Sequence, residues 1–287
     1  MMAERHPVPV IDLFAGPGGL GEGFTTLRRD DRTCFKVRLS IEKDWHAHQT
    51  LVLRAFYRQF SPGRVPGLYY DVLRGTAERE TLFAKFPEQA ANAAAEAWNA
   101  ELGETPHRDV RERIETALGE ADDWVLIGGP PCQAYSLAGR SRNKGVEGYS
   151  ADEDKRQFLY EEYLAIIADH WPAIFVMENV KGLLSATLLE QRMFERIHKD
   201  LANPAGAVRR RTGNDRSHKY TIVSVSEQGD LLGGMDVGHF VVHAEQYGIP
   251  QARHRVILVG VRDDLVLPDN DAAYRLQGCK QTPIQKC

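Results

Sequence analysis

The stretch VPVIDLFAGPGGLGEGFTTL, Val8–Leu27, decides the fold. It opens with a short apolar run, VPVIDLF (8–14), which glycines close, so it reads as a buried strand. Gly16, Gly18 and Gly19 follow at once, and GLGEGFTTLRR then reads as a helix. Without side chains the turn lets a ligand approach the backbone closely, and the free N–H groups of the helix can face a carboxylate or phosphate. Packing alone also explains many glycine turns. Working outward, KVRLSIE (36–42) is a second strand, followed by helical WHAHQTLVLRAFYRQF. Residues 76–119 have helical composition, broken at Pro87 and at Gly103–Pro106, before a strand at DWVLIGG (123–129). A helix over 154–170, a strand AIFVMEN (173–179) and a helix over 187–202 continue the alternation. The strands YTIVSV (220–225), HFVVHA (239–244) and RHRVILVGV (253–261) complete it. Strands alternating with helices predict a doubly wound α/β sheet, with ligands beyond the carboxyl ends of the strands.

With 287 residues and 43% hydrophobic content, the chain has enough apolar mass for one large domain or two small ones. A net charge of −4 excludes a wholly basic nucleic-acid binder, but that figure is an average. AGRSRNKG (138–145) carries three positive charges and no negative one, and GAVRRRTGNDRSHK (206–219) five against one. These are solvated loops or a local phosphate-contacting patch. Cys34, Cys132, Cys279 and Cys287 show no CxxC spacing and no set resembling a zinc site, so no metal is expected. The apolar runs are strand-sized, which predicts no membrane span, and the N-terminus has no apolar signal core. A reducing, cytosolic compartment follows, with Cys132 free to work as a thiol.

Glu42 ends the second strand, 23 residues after Gly19, where an acid can accept hydrogen bonds from both ribose hydroxyls of an adenosine. NAD and S-adenosylmethionine both carry one. The loop AGPGG with Asp12 ahead of it, rather than GxGxxG, favours the latter. Asp71 in LYYDVL is expected at the end of a third strand, accepting from the adenine amino group, or else as a turn or helix-cap residue.

The segment IGGPPCQAYSLAGR, Ile127–Arg140, sets a cysteine behind two prolines and two glycines. Taken in order, DLFAGPGG, GPPCQAYS, MENV and YGIPQARHR resemble the motifs of the cytosine-5 DNA methyltransferases, over about residues 8–262. The resemblance implies a Rossmann-like sheet of the S-adenosylmethionine-dependent methyltransferase type. It implies S-adenosyl-L-methionine as methyl donor and S-adenosyl-L-homocysteine as product. The implied cofactor contacts are Asp12, Phe14, Ala15, Gly16, Gly18, Gly19, Glu42, Lys43, Asp71 and Pro130.

Carbon 5 of cytosine is a poor nucleophile until another nucleophile adds at carbon 6. A thiolate suits that addition because it is strongly nucleophilic near neutral pH and can leave again. Cys132 is the candidate; Pro130 and Pro131 restrict its backbone, and the nearby positive charges favour the thiolate. Glu178 follows an apolar strand, where partial burial would raise its pKa; the resemblance has it hold ring nitrogen 3 and the exocyclic amine. Asn179 is expected to fix the backbone against the cysteine turn. QARHR alternates Gln251, Arg253 and Arg255 along one side of an extended segment. The resemblance implies that Arg255 contacts the base near Glu178, that Arg253 supports the thiol, and that Gln251 is positional. An edge strand blunted by charges is the plainer reading. The stretch SLAGRSRNKGVEGYS reads as a loop that closes over DNA. Gln133, Ser136, Arg140 and Arg142 would then contact a duplex whose cytosine has been flipped out.

Three departures from the family stand out. Lys43 occupies a position usually apolar or aromatic, so the adenine surface comes from its stem or from Trp45. The long interval between Asp71 and the next recognised strand predicts a helical insertion at about 74–122. Only 26 residues follow Val261, and the target-recognition region and last motifs are not found among them. The expected organisation is a catalytic domain over 1–262 and a short tail over 263–287. A split enzyme with a second polypeptide, a truncated product and a degenerate homologue all remain open. So do an RNA (tRNA) cytosine methyltransferase, a non-catalytic subunit retaining the fold, and a nicotinamide-dependent oxidoreductase. The family setting implies bacterial restriction–modification, hence the bacterial cytoplasm or nucleoid.

Overall fold

Val10, Ile11 and Leu13 on strand β1 (Val8–Leu13) are fully shielded from solvent. Helix α1 (Gly19–Thr26) follows the glycine turn, and two-residue strands β2 (Arg28–Arg29) and β3 (Arg32–Thr33) pair beyond it. β4 (Phe35–Glu42) then lies parallel to β1, with Leu13 opposite Ile41. Apolar residues run along β1 almost without alternation, as in a strand covered on both faces, whereas β4 alternates apolar Phe35, Val37, Leu39 and Ile41 with polar residues. A computed structural model of the chain describes residues 6–30, 32–131, 155–180, 188–208, 218–226, 237–265 and 276. The chain divides into two compact units, Met1–Trp124 and Val125–Cys287.

In the first unit, helix α2 (Trp45–Tyr57) starts where the Asp44 carboxylate accepts the Ala47 N–H at 2.8 Å. Its inner face, Leu51, Val52, Ala55 and Phe56, packs with Tyr69, Leu82, Ala93 and Ala97. Phe56 is the hub, touching the rings of Phe60, Tyr69, Phe83 and Phe86. Phe60 lies just past α2, and the other three belong to or flank α3 (Gly67–Leu73), α4 (Arg79–Lys85) and α5 (Pro87–Glu96). Arg58 bridges Glu22 and Glu96, tying α1 to α5.

Composition misleads in one place here. AWN, inside the Ala-rich run read as helical, is strand β5 (Ala97–Asn99), parallel to Ser40–Glu42 at the edge of β4. Pairing with β4 overrides helix propensity over three residues, and the Arg113 guanidinium lies over the Trp98 ring. The strand order is β5-β4-β1. Hence the expected helical insertion at 74–122 is not one helical block: α4 and α5 precede the third strand, and α6 (His107–Leu118) follows it.

The second unit opens with β6 (Val125–Gly128), parallel to β7 (Ile174–Val180). Between them runs α7 (Lys155–His170), with Tyr163, Leu164, Ile166 and Ile167 buried. Helices α8 (Leu188–Ala202) and α9 (Pro204–Ala207) and strand β8 (Tyr220–Val223) come next, then β9 (Val241–His243) and β10 (His254–Arg262). β10 runs antiparallel to β7, β8 and β9, giving the order β6-β7-β10-β8. Gly260 sits opposite Phe175, whose ring occupies the space any side chain at 260 would need. The α/β class predicted from the alternation is the one the chain adopts. The predicted strand HFVVHA is shorter than expected, since 3₁₀ turns (Val237–Phe240 and Ala244–Tyr247) flank its three paired residues.

Candidate functional site

In the first unit the turn after β1 is sharply folded, with Phe14 (φ 54°), Gly16 (φ 55°) and Gly18 (φ 87°) all left-handed. Only glycine adopts that conformation without cost, so Phe14 carries local strain at the corner. The Ala15 N–H donates to Ile41 O at 3.1 Å and stitches the turn to β4. Glu42, at the end of β4, accepts the Gly16 N–H on Oε2 and the Asp44 N–H on Oε1, both at 2.7 Å. Both oxygens are therefore oriented by backbone, and each keeps a lone pair. Among the described residues nothing lies within 4 Å of where a Cβ at Gly16 or Gly19 would be, so that side of the turn is open. Open space beside an oriented carboxylate and a helix N-terminus fits an adenosine-bearing ligand.

The neighbouring positions sort themselves by contact. Asn99, which sequence reasoning missed, donates to Glu42 O at 2.9 Å and Lys43 O at 3.1 Å, fixing the backbone just past the acid. Its only signal would have been the hidden strand. The Lys43 ammonium pairs with Glu101 at 3.0 Å, while Trp45 stands exposed at the start of α2. Asp71 is not at a strand end. It lies in α3 and pairs with Arg74 at 3.3 Å; the third strand is β5.

Asp12 is buried beneath the turn, against Gly21. Burial pushes its pKa up to about 8, only partly offset by the Arg58 charge and the Gly21 N–H. An unfolded Asp titrates near ~3.9. In the interval up to about 8 the folded chain holds a proton that the unfolded chain releases, so stability is full at low pH and falls as pH rises. The urea midpoint should decline over that window, and Asp12→Asn should flatten the decline. An unchanged slope in the variant would contradict this placement.

In the second unit the end of β7 carries Glu178, opposite Ile257 of β10. Arg255 Nε lies 2.7 Å from Glu178 Oε1, with its N–H directed off that line, and Arg253 Nη2 approaches the same oxygen at 3.7 Å. A side chain on Gly129 would meet Glu178 Oε2 at 3.0 Å and the Glu178 carbonyl at 3.3 Å. Gly129 thus lets the turn after β6 close against the carboxylate, a role the sequence alone does not reveal. Asn179, almost wholly buried, donates to Pro130 O at 3.0 Å and accepts the Val180 N–H at 2.8 Å. That bond ties β7 to the Pro130–Pro131 turn, which leads straight into position 132. Gln251 is exposed, and its N–H donates to Ile249 O at 2.8 Å. Cys132, Gln133, Ser136, Arg140 and Arg142 lie outside the described residues. No helix of the described residues is long and apolar enough to cross a membrane.

The family model for C-5 cytosine-specific DNA methylases matches residues 80–204 and 215–284, more than half of the chain. Type II methyltransferase M.Bpa9945I of Bacillus paralicheniformis is 32% identical over 89% of this chain and 54% of its own length. Type II methyltransferase M.AgeI of Thalassovita gelatinovora is 28% identical over 88% of this chain and 39% of its own. DNA (cytosine-5-)-methyltransferase M.ApeKI of Aeropyrum pernix is 32% identical over 55% of this chain and 31% of its own. The chain thus spans about half, or less, of the length of these curated relatives.

Proposed function

Because the chain belongs to the C-5 cytosine-specific DNA methylase family, we propose that it transfers a methyl group from S-adenosyl-L-methionine to carbon 5 of cytosine in DNA through a covalent Cys132 adduct. The observation that carries this reading is the anchored carboxyl of Glu178, held by Arg255 at 2.7 Å. The hydrogen bond from the Asn179 side-chain amide to Pro130 O, two residues before Cys132, supports it. A carboxyl so fixed has both oxygens for one task, engaging ring nitrogen 3 and the exocyclic amine of a flipped cytosine. Cys132 adds to carbon 6, the ring electrons move toward carbon 5, and the charge that develops meets Glu178 and the arginines. After carbon 5 is methylated and loses its proton, the thiolate leaves by elimination. Arg253, half exposed, supports the thiol side, Gln251 holds the segment's course, and Gln133, Ser136 and Arg140 meet the DNA.

S-adenosyl-L-methionine supplies the electrophilic methyl when bound, and S-adenosyl-L-homocysteine is released. On this reading Glu42 takes the ribose hydroxyls. Phe14, Ala15, Gly16, Gly18 and Gly19 line the donor's path. Trp45, exposed beside Lys43, offers the adenine a flat surface in place of the usual apolar residue. Asp12 acts from beneath the turn. A DNA-modifying role places the protein in the bacterial cytoplasm or nucleoid.

Calorimetry with S-adenosyl-L-homocysteine tests the donor half. We expect binding that Glu42→Ala weakens at least about tenfold, the loss of roughly one charged hydrogen-bonding group. Binding of NAD instead, or an unaffected Glu42→Ala variant, would reject it.

A further inference from the structure

Apart from its cysteines, the chain carries a second set of metal-ligating residue types, HAE at 243–245 with a histidine nine residues later. We propose that His243, Glu245 and His254 form a binding site for a divalent first-row transition ion of the zinc class.

The fold brings the three together through ordinary backbone rules. β9 and β10 pair antiparallel with His243 directly opposite His254. The adjacent Ala244 N–H donates to Arg253 O at 3.0 Å, so 243 and 254 occupy the non-hydrogen-bonded position, where opposing side chains stand closest. Their ring centroids are 4.0 Å apart. β9 then ends in the 3₁₀ turn Ala244–Tyr247, closed by Gly248 at φ 83°, which returns Glu245 over the histidine pair. His254 Nε2 lies 2.6 Å from Glu245 Oε1, and His243 Nδ1 lies 3.6 Å from the same oxygen. All three donor atoms fall within 4.8 Å of one another. Donors about 2.0–2.1 Å from a tetrahedral ion are about 3.3 Å apart, so small side-chain rotations accommodate one.

A second observation points the same way. Glu245 Oε2 is shielded and has no hydrogen-bond partner among the described residues, although the side chain as a whole is 36% exposed. Such an atom is costly unless something meets it, and a cation would. Two imidazoles and one carboxylate suit zinc-class ions and leave coordination positions open. Arg253 and Arg255 flank His254 on the same segment, so an ion here would brace the corner from which both arginines reach Glu178.

The test uses the full chain with Zn²⁺ and Co²⁺ alone. Calorimetry should give one ion bound through these residues, with affinity falling at least tenfold in His243→Ala and in Glu245→Gln. The second variant is nearly isosteric, so it speaks even if His243→Ala folds poorly, and circular dichroism checks both. Bound Co²⁺ should show d–d bands without thiolate charge transfer, and Zn²⁺ should raise the melting temperature of the parent chain but not of Glu245→Gln. Equal affinity in parent and variants, no binding, or a thiolate band placing the ion on cysteines would each overturn the proposal. None of these readouts depends on methyl transfer, so the outcome is independent of the activity proposed above.

Discussion

Cys132→Ser should abolish methyl transfer, lowering turnover by at least about a thousandfold, while S-adenosyl-L-homocysteine binding stays within about twofold of the parent. The asymmetry follows from the chemistry. Serine is nearly the same size, so the donor pocket and the Asn179–Pro130 hydrogen bond should survive. A hydroxyl is hardly ionised near neutral pH. A thiol beside positive charge is already a competent nucleophile. Incorporation of labelled methyl into DNA, read beside calorimetry of the product, separates the two effects. Turnover within tenfold of the parent would remove Cys132 from the mechanism.

Glu178→Gln should lower kcat by about 10²–10⁴-fold, the usual worth of a positioned acid–base group, with little change in donor binding. The amide fits the same space against Gly129, so packing is preserved. What it lacks is the charge that Arg255 meets at 2.7 Å and Arg253 at 3.7 Å. Both arginines then lose their anchor, and the base loses a group able to exchange a proton at ring nitrogen 3. Single-turnover kinetics under saturating donor isolates the chemical step. A variant reacting at the parent rate would show that the carboxyl is structural only.

Most strands were legible because they are short apolar runs ended by glycine or a polar cluster, and the turn after β1 was legible because its glycines sit between a strand and a helix. β5 was hidden because three residues at a sheet edge carry no periodicity of their own, and an Ala-rich run before them speaks for helix. That miss displaced Asp71 as well, since the third strand was sought in the wrong place. Glu178, Asn179 and Arg255 were legible as types in order, and the ladder pairing Glu178 with Ile257 brings the carboxyl and Arg255 together. The burial of Asp12 and the closeness of Gly129 to the carboxylate were not, because both depend on which face of a strand or turn meets its neighbour. The His243–His254 pair was invisible for the same reason: cross-strand register is a property of the ladder, and the two residues are eleven apart in sequence.

The most direct test of the account is a duplex carrying 5-fluorocytosine at the target position, incubated with the active enzyme and S-adenosyl-L-methionine. Fluorine at carbon 5 cannot be removed as a proton, so elimination stalls and the adduct at carbon 6 is trapped. The account predicts a denaturation-resistant protein–DNA conjugate whose peptide map places the bond on Cys132, absent from the Cys132→Ser variant. Methylated product accumulating on ordinary DNA with no conjugate on the fluorinated duplex would contradict it.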